Sequence, residues 1–565
     1  MKMKIITILA ATAILLLGAC NKLNDNLDQQ LNNPNAPTPA AADVDLYLGN
    51  LELNFIGFFQ GNSDVTEPMM RMQTMFGPTY FNAYSASSYD GIWNTAYTGI
   101  FKTANTMIPV AVAKGQYIHS GIARVLKAYT MITLVDMFGD VPYTESSLGV
   151  GNTNPKVDKG RLVYDSALAL LDAGIADFAK ATSTTVGPVN DLYYAGSKTK
   201  WTTLAKTIKL KAYVQTRLVD QANVTSKISA LLTENDLINT AAQDFVFNYS
   251  TKNQAPDSRN GHYVGNYGTD AGAGDYLGNQ YMWALTQEKG LTDPRTRYYI
   301  YRQVDDVTTD PRVADQTTRQ FALACYYRPS PYPAGTPYCL VGTGYWGRDH
   351  GNNEGTGPDN LLKSTWGLYP AAGEFDANQN KSVGQGAGRA VGAKGAGITP
   401  IWLSSFTYFL KAEAALMLGT TGDPLALTLS GIGESFNKVK GFNTVVGYTL
   451  PTTDTNFLIT PYKQQKYLDK VTSLYNAAAT NDAKLNVIIK EYYLSAWGNG
   501  VEPYNNYRRT GKPDNLQRTL LPNEGSFIRS FFYPTVYVNF NKNAVQKTVT
   551  SVQVFWDTNP ADFIH

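Results

Sequence analysis

The sequence is poor in the side chains that hold transition metals. It has three cysteines and four histidines (His119, His262, His350 and His565) in 565 residues. There is no H-E-x-x-H and no pair of closely spaced cysteine ligands, so a zinc centre is not expected. Charge of one sign is also lacking. Lys and Arg number 48 and Asp and Glu 46, and setting aside an amino-terminal segment that carries Lys2 and Lys4 leaves 46 against 46. Binding to nucleic acid or another polyanion needs an excess of cations gathered on one face, and no such excess exists. Past the first twenty residues no apolar run is long enough to span a bilayer, which takes about eighteen residues or more. There is no G-x-S-x-G, no Walker A pattern, and no G-x-G-x-x-G in the glycine-rich stretch from Gly384 to Gly397, which reads as a loop. The run Asp376, Asn378, Asn380 alternates oxygen donors as calcium loops do, but lacks the following glycine and the closing glutamate; an Asx-rich turn is the better reading. No cofactor is expected.

What is present begins with an export signal. Lys2 and Lys4 precede an apolar run from Ile5 to Leu17 and the small residues Gly18 and Ala19. Leu17-Gly18-Ala19-Cys20 resembles the bacterial lipobox, which implies cleavage after residue 19 and acylation of Cys20. One chain binds a membrane reversibly, whereas several together, at about 0.8 kcal/mol per buried methylene, anchor it. Residues 20–42, rich in Asn, Asp, Gln and Pro, cannot bury a core and read as a tether; Asp25 and Asp28 behind the anchor hint at export to the surface. No long linker interrupts residues 43–565, which are expected to form one domain. Cys325 and Cys339 are expected to pair in an oxidising compartment, closing a loop worth about 3 kcal/mol in the chain-entropy account; two unpaired thiols are the alternative.

Apolar residues at helical spacing dominate the skeleton. One stripe runs through Tyr89, Trp93, Tyr97, Ile100, Phe101 and Ala104, and after Gly115 a second through Ile118, Ile122, Val125, Leu126, Tyr129 and Ile132, so these two helices should pack together. Further helices are expected over Leu162–Phe178, Trp201–Val219, Ile401–Leu418, Tyr462–Ala478 and Leu485–Trp497. Phe245–Tyr249 and Val552–Trp556 alternate as short strands do. Long irregular sequence, Asn253–Asn279 and Tyr326–Gly397, is too rich in aromatics to read as disordered and reads as functional loops.

Several longer words carry a resemblance. NPNAPTPAAA (Asn33 to Ala42), LVDMFGDVPY (Leu134 to Tyr143), DLYYAGSKTKW (Asp191 to Trp201), DPR (Asp293 to Arg295), FLKAEAALMLG (Phe409 to Gly419), YRRTGKPD (Tyr507 to Asp514) and VQVFWD (Val552 to Asp557) run in order along nearly the whole mature chain. Together they resemble the SusD/RagB family, in its SusD-like branch. The resemblance implies a mainly α fold, with tetratricopeptide-like helix pairs as scaffold, long irregular ligand-binding loops and a few short strands. It implies a lipid-anchored protein on the outer face of the outer membrane that binds a glycan or oligopeptide nutrient and passes it to a SusC-like TonB-dependent transporter. The chain departs from the family at FIRSFFYPTVYVN, where Ile528, Arg529 and Ser530 replace paired arginines and Tyr537 lies near an expected glutamate.

The words also have local readings. Gly139 ends a helix that Pro142 keeps from resuming, Asp140 ties down the turn, and Gly419 caps another helix. Arg508 and Arg509 read as structural, and Glu413, the one acid among small residues, as a hydrogen-bonded helix residue rather than a catalyst. The supply of rings, 37 Tyr, 23 Phe and 8 Trp, suits sugar or peptide recognition because a ring gives a large contact at low entropic cost. The candidates are Tyr80, Phe81 and Tyr84, then Tyr263, Tyr267 and Tyr276, then Tyr345, Trp346, Trp366 and Tyr369, with Arg71, Asn82, Asp349 and Asn352 as polar partners. Two other functions stay open on residues alone. One is an envelope glycoside hydrolase, for which no carboxylate pair stands out, and the other is a structural scaffold or adhesin.

Overall fold

The computed structural model describes residues 43–77, 79–182, 189–313, 338, 340–352, 359–384, 391–520, 524–561 and 563–564. The signal segment, Cys20, the tether, Cys325 and Cys339 lie outside the described residues, as does the side chain of Asn82.

Helix α1 (Val44–Met69) starts at Asp43, whose carboxylate accepts from the Asp45 amide at 2.9 Å. Leu48, Leu51, Phe55, Phe58 and Phe59 form its buried stripe. The stripe from Tyr89 to Ala104 is one interrupted rod: a short helix Asp90–Asn94, a π-helical turn Thr95–Phe101 and helix α2 (Lys102–Ala113). Thr95 and Thr98 donate to the carbonyls of Gly91 and Asn94, four residues back, and so compete with the regular ladder. Helix α3 (Tyr117–Phe138) packs on α2 and on α4 (Gly160–Lys180). A methyl at Gly121 would strike the Phe178 ring, so the glycine sets how near α3 and α4 approach. Helices α5 (Lys198–Gln215) and α6 (Gln221–Glu234) continue the succession, each against the one before it.

A second helical group comprises α7 (Ser404–Leu418), α8 (Pro424–Val445), α9 (Pro461–Ala477) and α10 (Asn481–Ser495). Helix α7 packs on α8 and α10, α8 on α9, and α7 also touches α5, joining the two groups. Helix α11 (Val501–Thr510) lies against α1. Two antiparallel pairs complete the fold: β1 (Phe245–Asn248) with β4 (Ile398–Trp402), and β2 (Ile300–Tyr301) with β3 (Thr365–Trp366).

Several of the words quoted above form buried joints among the described residues. Asp136 of LVDMFGDVPY accepts from Tyr164, from Asn505 at 2.8 Å and from Trp556 at 2.9 Å, while its carbonyl accepts from Arg508 at 2.7 Å. Glu413 lies between Arg217 (2.8 Å) and Arg509 (2.7 Å), and the two guanidiniums outweigh burial and hold its carboxyl down at about 2. Arg508, Arg509 and Glu413 are therefore structural, as read. Gly139 (φ +78°) and Gly419 (φ +68°) end their helices with positive φ. Asp140 ties the start of α4 rather than its own turn: it accepts from the Gly160 amide at 2.8 Å and from Lys159 at 2.9 Å. Asp376 forms an Asx turn with the Asn378 amide and pairs with Arg302 at 2.6 Å, which leaves its oxygens committed.

Three expectations change. Val552–Trp556 is not a strand: Val554 and Trp556 turn inward, but Ser530 donates a single bond to the Val552 carbonyl and no strand pairs with the segment. Ile401 and Trp402 belong to β4, because pairing with β1 precedes the helix start at Ser404. Within Asn253–Asn279 the residues Gly261–Tyr267 form a helix, capped by Asn260, whose side chain accepts from the His262 amide at 3.0 Å.

Candidate functional site

Three loop segments meet beside the carboxyl end of α1. The chain leaves α1 through Arg71, a non-glycine residue with φ +60°. Gln73 then forms an antiparallel bridge to Leu277, and Gly278 a parallel one to Arg348. The Thr74 amide donates to the Tyr276 carbonyl at 2.9 Å, and the Arg348 amide to Leu277 at 3.0 Å. Glycine is required at both crossings, because a methyl at Gly278 would collide with the Arg71 carbonyl and one at Gly347 with the Leu277 carbonyl. Backbone lacing of this kind makes the junction a frame rather than a set of independent loops.

Beneath it runs a buried polar chain. Arg71 donates to the Gln517 carbonyl at 2.8 Å and to the Tyr80 hydroxyl at 3.1 Å, and that hydroxyl lies 3.1 Å from His350 Nε2. Gln517 accepts from the His350 amide at 3.1 Å and donates to Asp349 at 2.9 Å. Burial, reinforced by the Arg71 cation, pushes the His350 imidazole well below its ordinary value, so the ring is neutral.

Above this chain the Tyr276 ring is held between cations, with the Arg348 guanidinium 4.2 Å and the Lys363 ammonium 3.3 Å from its centroid. The Tyr276 hydroxyl donates to Asp359. Burial brings Lys363 down to about 8. Phe76 packs edge-on to Tyr276 with centroids 5.7 Å apart and leaves 47% of its own surface in water. Phe81, braced edge-on by Phe532 at 5.9 Å, is 67% exposed. Phe76, open on the laced, cation-supported base, and Phe81, open two residues past Thr79 in the same segment, each present an apolar face that suits a flat, partly apolar ligand.

The candidates from the sequence divide on burial. Phe81 is open, whereas Tyr80, Tyr84, Tyr263, Tyr267, Tyr276, Tyr345, Trp346, Trp366 and Tyr369 are all buried. Tyr80, Tyr84 and Tyr276 support the junction, together with buried Arg71, Asp349 and Asn352. Tyr263, Tyr267 and Trp366 gather elsewhere: the two tyrosines stack at 5.0 Å, and Tyr267 donates to the Trp366 carbonyl at 2.5 Å. Tyr345 lies under Arg302, whose guanidinium is 4.9 Å from its ring, and Tyr369 stacks on Tyr299 at 5.6 Å. Trp346 is enclosed beside Ser364, which accepts from its amide at 3.1 Å. These nine rings pack the loops from within. Phe76 was not among the candidates; its signal is its place in the same short word, QTMFGPTYF, as Tyr80 and Phe81.

Among the described residues no group of His, Cys, Asp and Glu could hold a metal ion, and no helix is long and apolar enough to cross a membrane.

Comparison with known proteins gives two family matches. Residues 44–311 match the family described as starch-binding and associating with the outer membrane, and residues 390–554 match that of SusD and RagB outer membrane lipoproteins. Among solved structures, a SusD/RagB family protein from Bacteroides thetaiotaomicron is 18% identical over 92% of this chain and 100% of its own, with a TM-score of 0.64. A chitin-binding SusD homologue from Flavobacterium johnsoniae is 18% identical over 92% and 99%, with a TM-score of 0.62. A SusD homologue from Bacteroides fragilis is 15% identical over 92% and 100%, with a TM-score of 0.65. No curated protein matches the chain.

Proposed function

Since this chain belongs to the SusD/RagB family, whose members are binding proteins and not enzymes, we propose that it captures carbohydrate at the cell surface through the loop junction at Phe76 and Phe81. The observation that carries this reading is the open ring of Phe76 set against Arg348 and Tyr276 beside the glycine crossings, with Phe81 open in the same segment. A pyranose offers one face of C–H groups, which suits an aromatic ring, and a rim of hydroxyls, which suits guanidinium and amide donors. Because the frame is laced before a ligand arrives, binding costs little ordering entropy. The match to a family described as starch-binding and the presence of a chitin-binding protein among the structural relatives favour a glycan over a peptide.

In the same reading the chain is an outer membrane lipoprotein anchored by acyl groups on Cys20 and facing outward. It hands its ligand to a SusC-like TonB-dependent transporter. The family's description as outer membrane lipoproteins supports the location, and the signal-and-lipobox layout supports the anchor. The test is a glycan array probed with the purified mature chain. Retention of a defined oligosaccharide that is lost in Phe76→Ala/Phe81→Ala supports the proposal; binding that is indifferent to both rings contradicts it.

A further inference from the structure

A second place in the molecule has the chemistry of a sugar site and shares no residue with the loop junction. It is an open groove of about 440 Å³, in the size range of small-ligand pockets. The rod Asp90–Phe101, the turns between Pro142 and Pro155, and the short helix Thr535–Phe540 form its walls.

Its floor is aromatic. Trp93 lies with its ring centroid 4.8 Å from Tyr97 on one side and 4.8 Å from Tyr537 on the other, with interplanar angles of 36° and 35°. The short helix is pinned over the rod because Asp90 accepts from the Val536 amide at 3.1 Å and from the Thr535 hydroxyl. At the rim Phe540 is 80% exposed, among the most open large apolar side chains described.

The groove also contains an unanswered polar group. Tyr537 is 94% buried, since only 6% of its surface is reached by solvent, yet its hydroxyl has no hydrogen-bond partner. A buried hydroxyl left in that state costs about 1–3 kcal/mol, and because solvent does not reach it, a ligand meets it only by displacing part of the groove's lining; one that did so would recover that cost. Tyr97, the other tyrosine on the wall, is already satisfied by donating to the Pro142 carbonyl at 2.7 Å. Among the described residues the groove's lining contains no acid and one cation, Lys102, so a neutral ligand fits it better than an ionic one.

We propose that this groove is a second carbohydrate site, taking a neutral pyranose whose apolar face lies on Phe540 and whose hydroxyl meets the Tyr537 oxygen. The inference rests on the glycan-binding reading of the chain and extends it. Two separated sites on one anchored molecule would let a single polysaccharide bind twice, and the second contact then benefits from the high local concentration that the first creates.

The test is calorimetric titration with neutral oligosaccharides, starting from maltooligosaccharides and chitooligosaccharides. Four forms are compared: the native chain, Tyr537→Phe, Phe540→Ala and Phe76→Ala/Phe81→Ala. Tyr537→Phe removes an oxygen that bonds to nothing in the protein, so it should melt no lower than the native chain and any loss of binding reports the ligand. The native chain should give two classes of site. The weaker class should fall about fivefold in Tyr537→Phe and about tenfold in Phe540→Ala, and should survive in the double loop variant. A single class of site that disappears in the loop variant and is untouched by Tyr537→Phe and Phe540→Ala overturns the second site and leaves the first standing. A native chain that binds no glycan overturns both.

Discussion

Trp366 stacks on His262 with ring centroids 3.8 Å apart and planes within 16° of parallel. The pair joins strand β3 to the short helix that begins the loop leading to Tyr276. It also faces α1: Nε2 of His262 lies 3.9 Å from both Asp64 and Glu67, and Nδ1 lies 3.7 Å from Asp275. Burial alone would pull the imidazole down, but Asp275, Glu67 and Asp64 reverse that and bring it up to about 9. Burial raises the Glu67 carboxyl to about 7, despite the opposing pull of His262.

These shifts give stability a pH dependence of defined sign. The imidazole binds its proton more tightly in the folded chain than in the unfolded one, so its contribution is full below about 6.5 and is lost as pH rises towards about 9. The raised Glu67 acts in the same direction between about 4.5 and 7. The native chain should therefore exceed His262→Gln in melting temperature at pH 6, with the gap narrowing steadily to pH 9. A gap that stays constant or widens with pH contradicts this assignment.

Glu413 should behave in the opposite way and matter more. Replacing it by Ala leaves Arg217 and Arg509 buried without their counter-charge, and breaking a buried pair of this kind costs about 3–5 kcal/mol. Its carboxyl is depressed, so its contribution is present above about 4.5 and is lost only as pH falls towards 2. Denaturant unfolding should show the large loss at neutral pH. Glycan affinity in the surviving folded fraction should not change, because Glu413 serves the helices and not the junction.

At Gly278 structure and binding should fail together. An alanine methyl cannot occupy that place without moving the Arg71 carbonyl, so Gly278→Ala must displace the segment carrying Phe76. Overpacking of this kind costs about 1–3 kcal/mol. Hydrogen exchange should accelerate at the Thr74 amide, which donates to the Tyr276 carbonyl in the native junction. Glycan affinity should fall with it. Unchanged exchange at Thr74 would mean that the lacing is not what holds the junction.

The anchor has its own test. Cys20→Ser removes the proposed acylation site while leaving residues 43–565 intact, so the chain should move from the membrane fraction to the soluble fraction with its glycan affinity preserved. Retention in the membrane fraction would require another anchor.

Local signals in the sequence located most of the scaffold. The apolar stripes around Trp93, Ile122, Phe178 and Trp201 and the cap at Gly419 were legible because each follows from spacing within a few residues, whereas the pairing of Glu413 with Arg217 and Arg509 joins distant parts of the chain and was not. Helices α1, α6, α8 and α11 were not anticipated. In α11 every residue is buried, polar ones included, so no polar face marks the helix. The site was less legible because a ring's exposure is a tertiary property. Tyr276 and Phe76 both sit in broken, polar sequence, yet one is enclosed between Arg348 and Lys363 and the other is open. The bridges from Gln73 to Leu277 and from Gly278 to Arg348 join residues that are far apart in sequence, and no local pattern announces them.

The most direct measurement is the affinity of the mature chain for the tightest glycan found on an array, compared with Phe76→Ala, Phe81→Ala and the double variant at equal melting temperature. Each ring is expected to contribute about 0.5–1.5 kcal/mol, so single variants should bind about twofold to tenfold more weakly and the double variant about fivefold to a hundredfold. Equal affinity in all four forms would contradict the account.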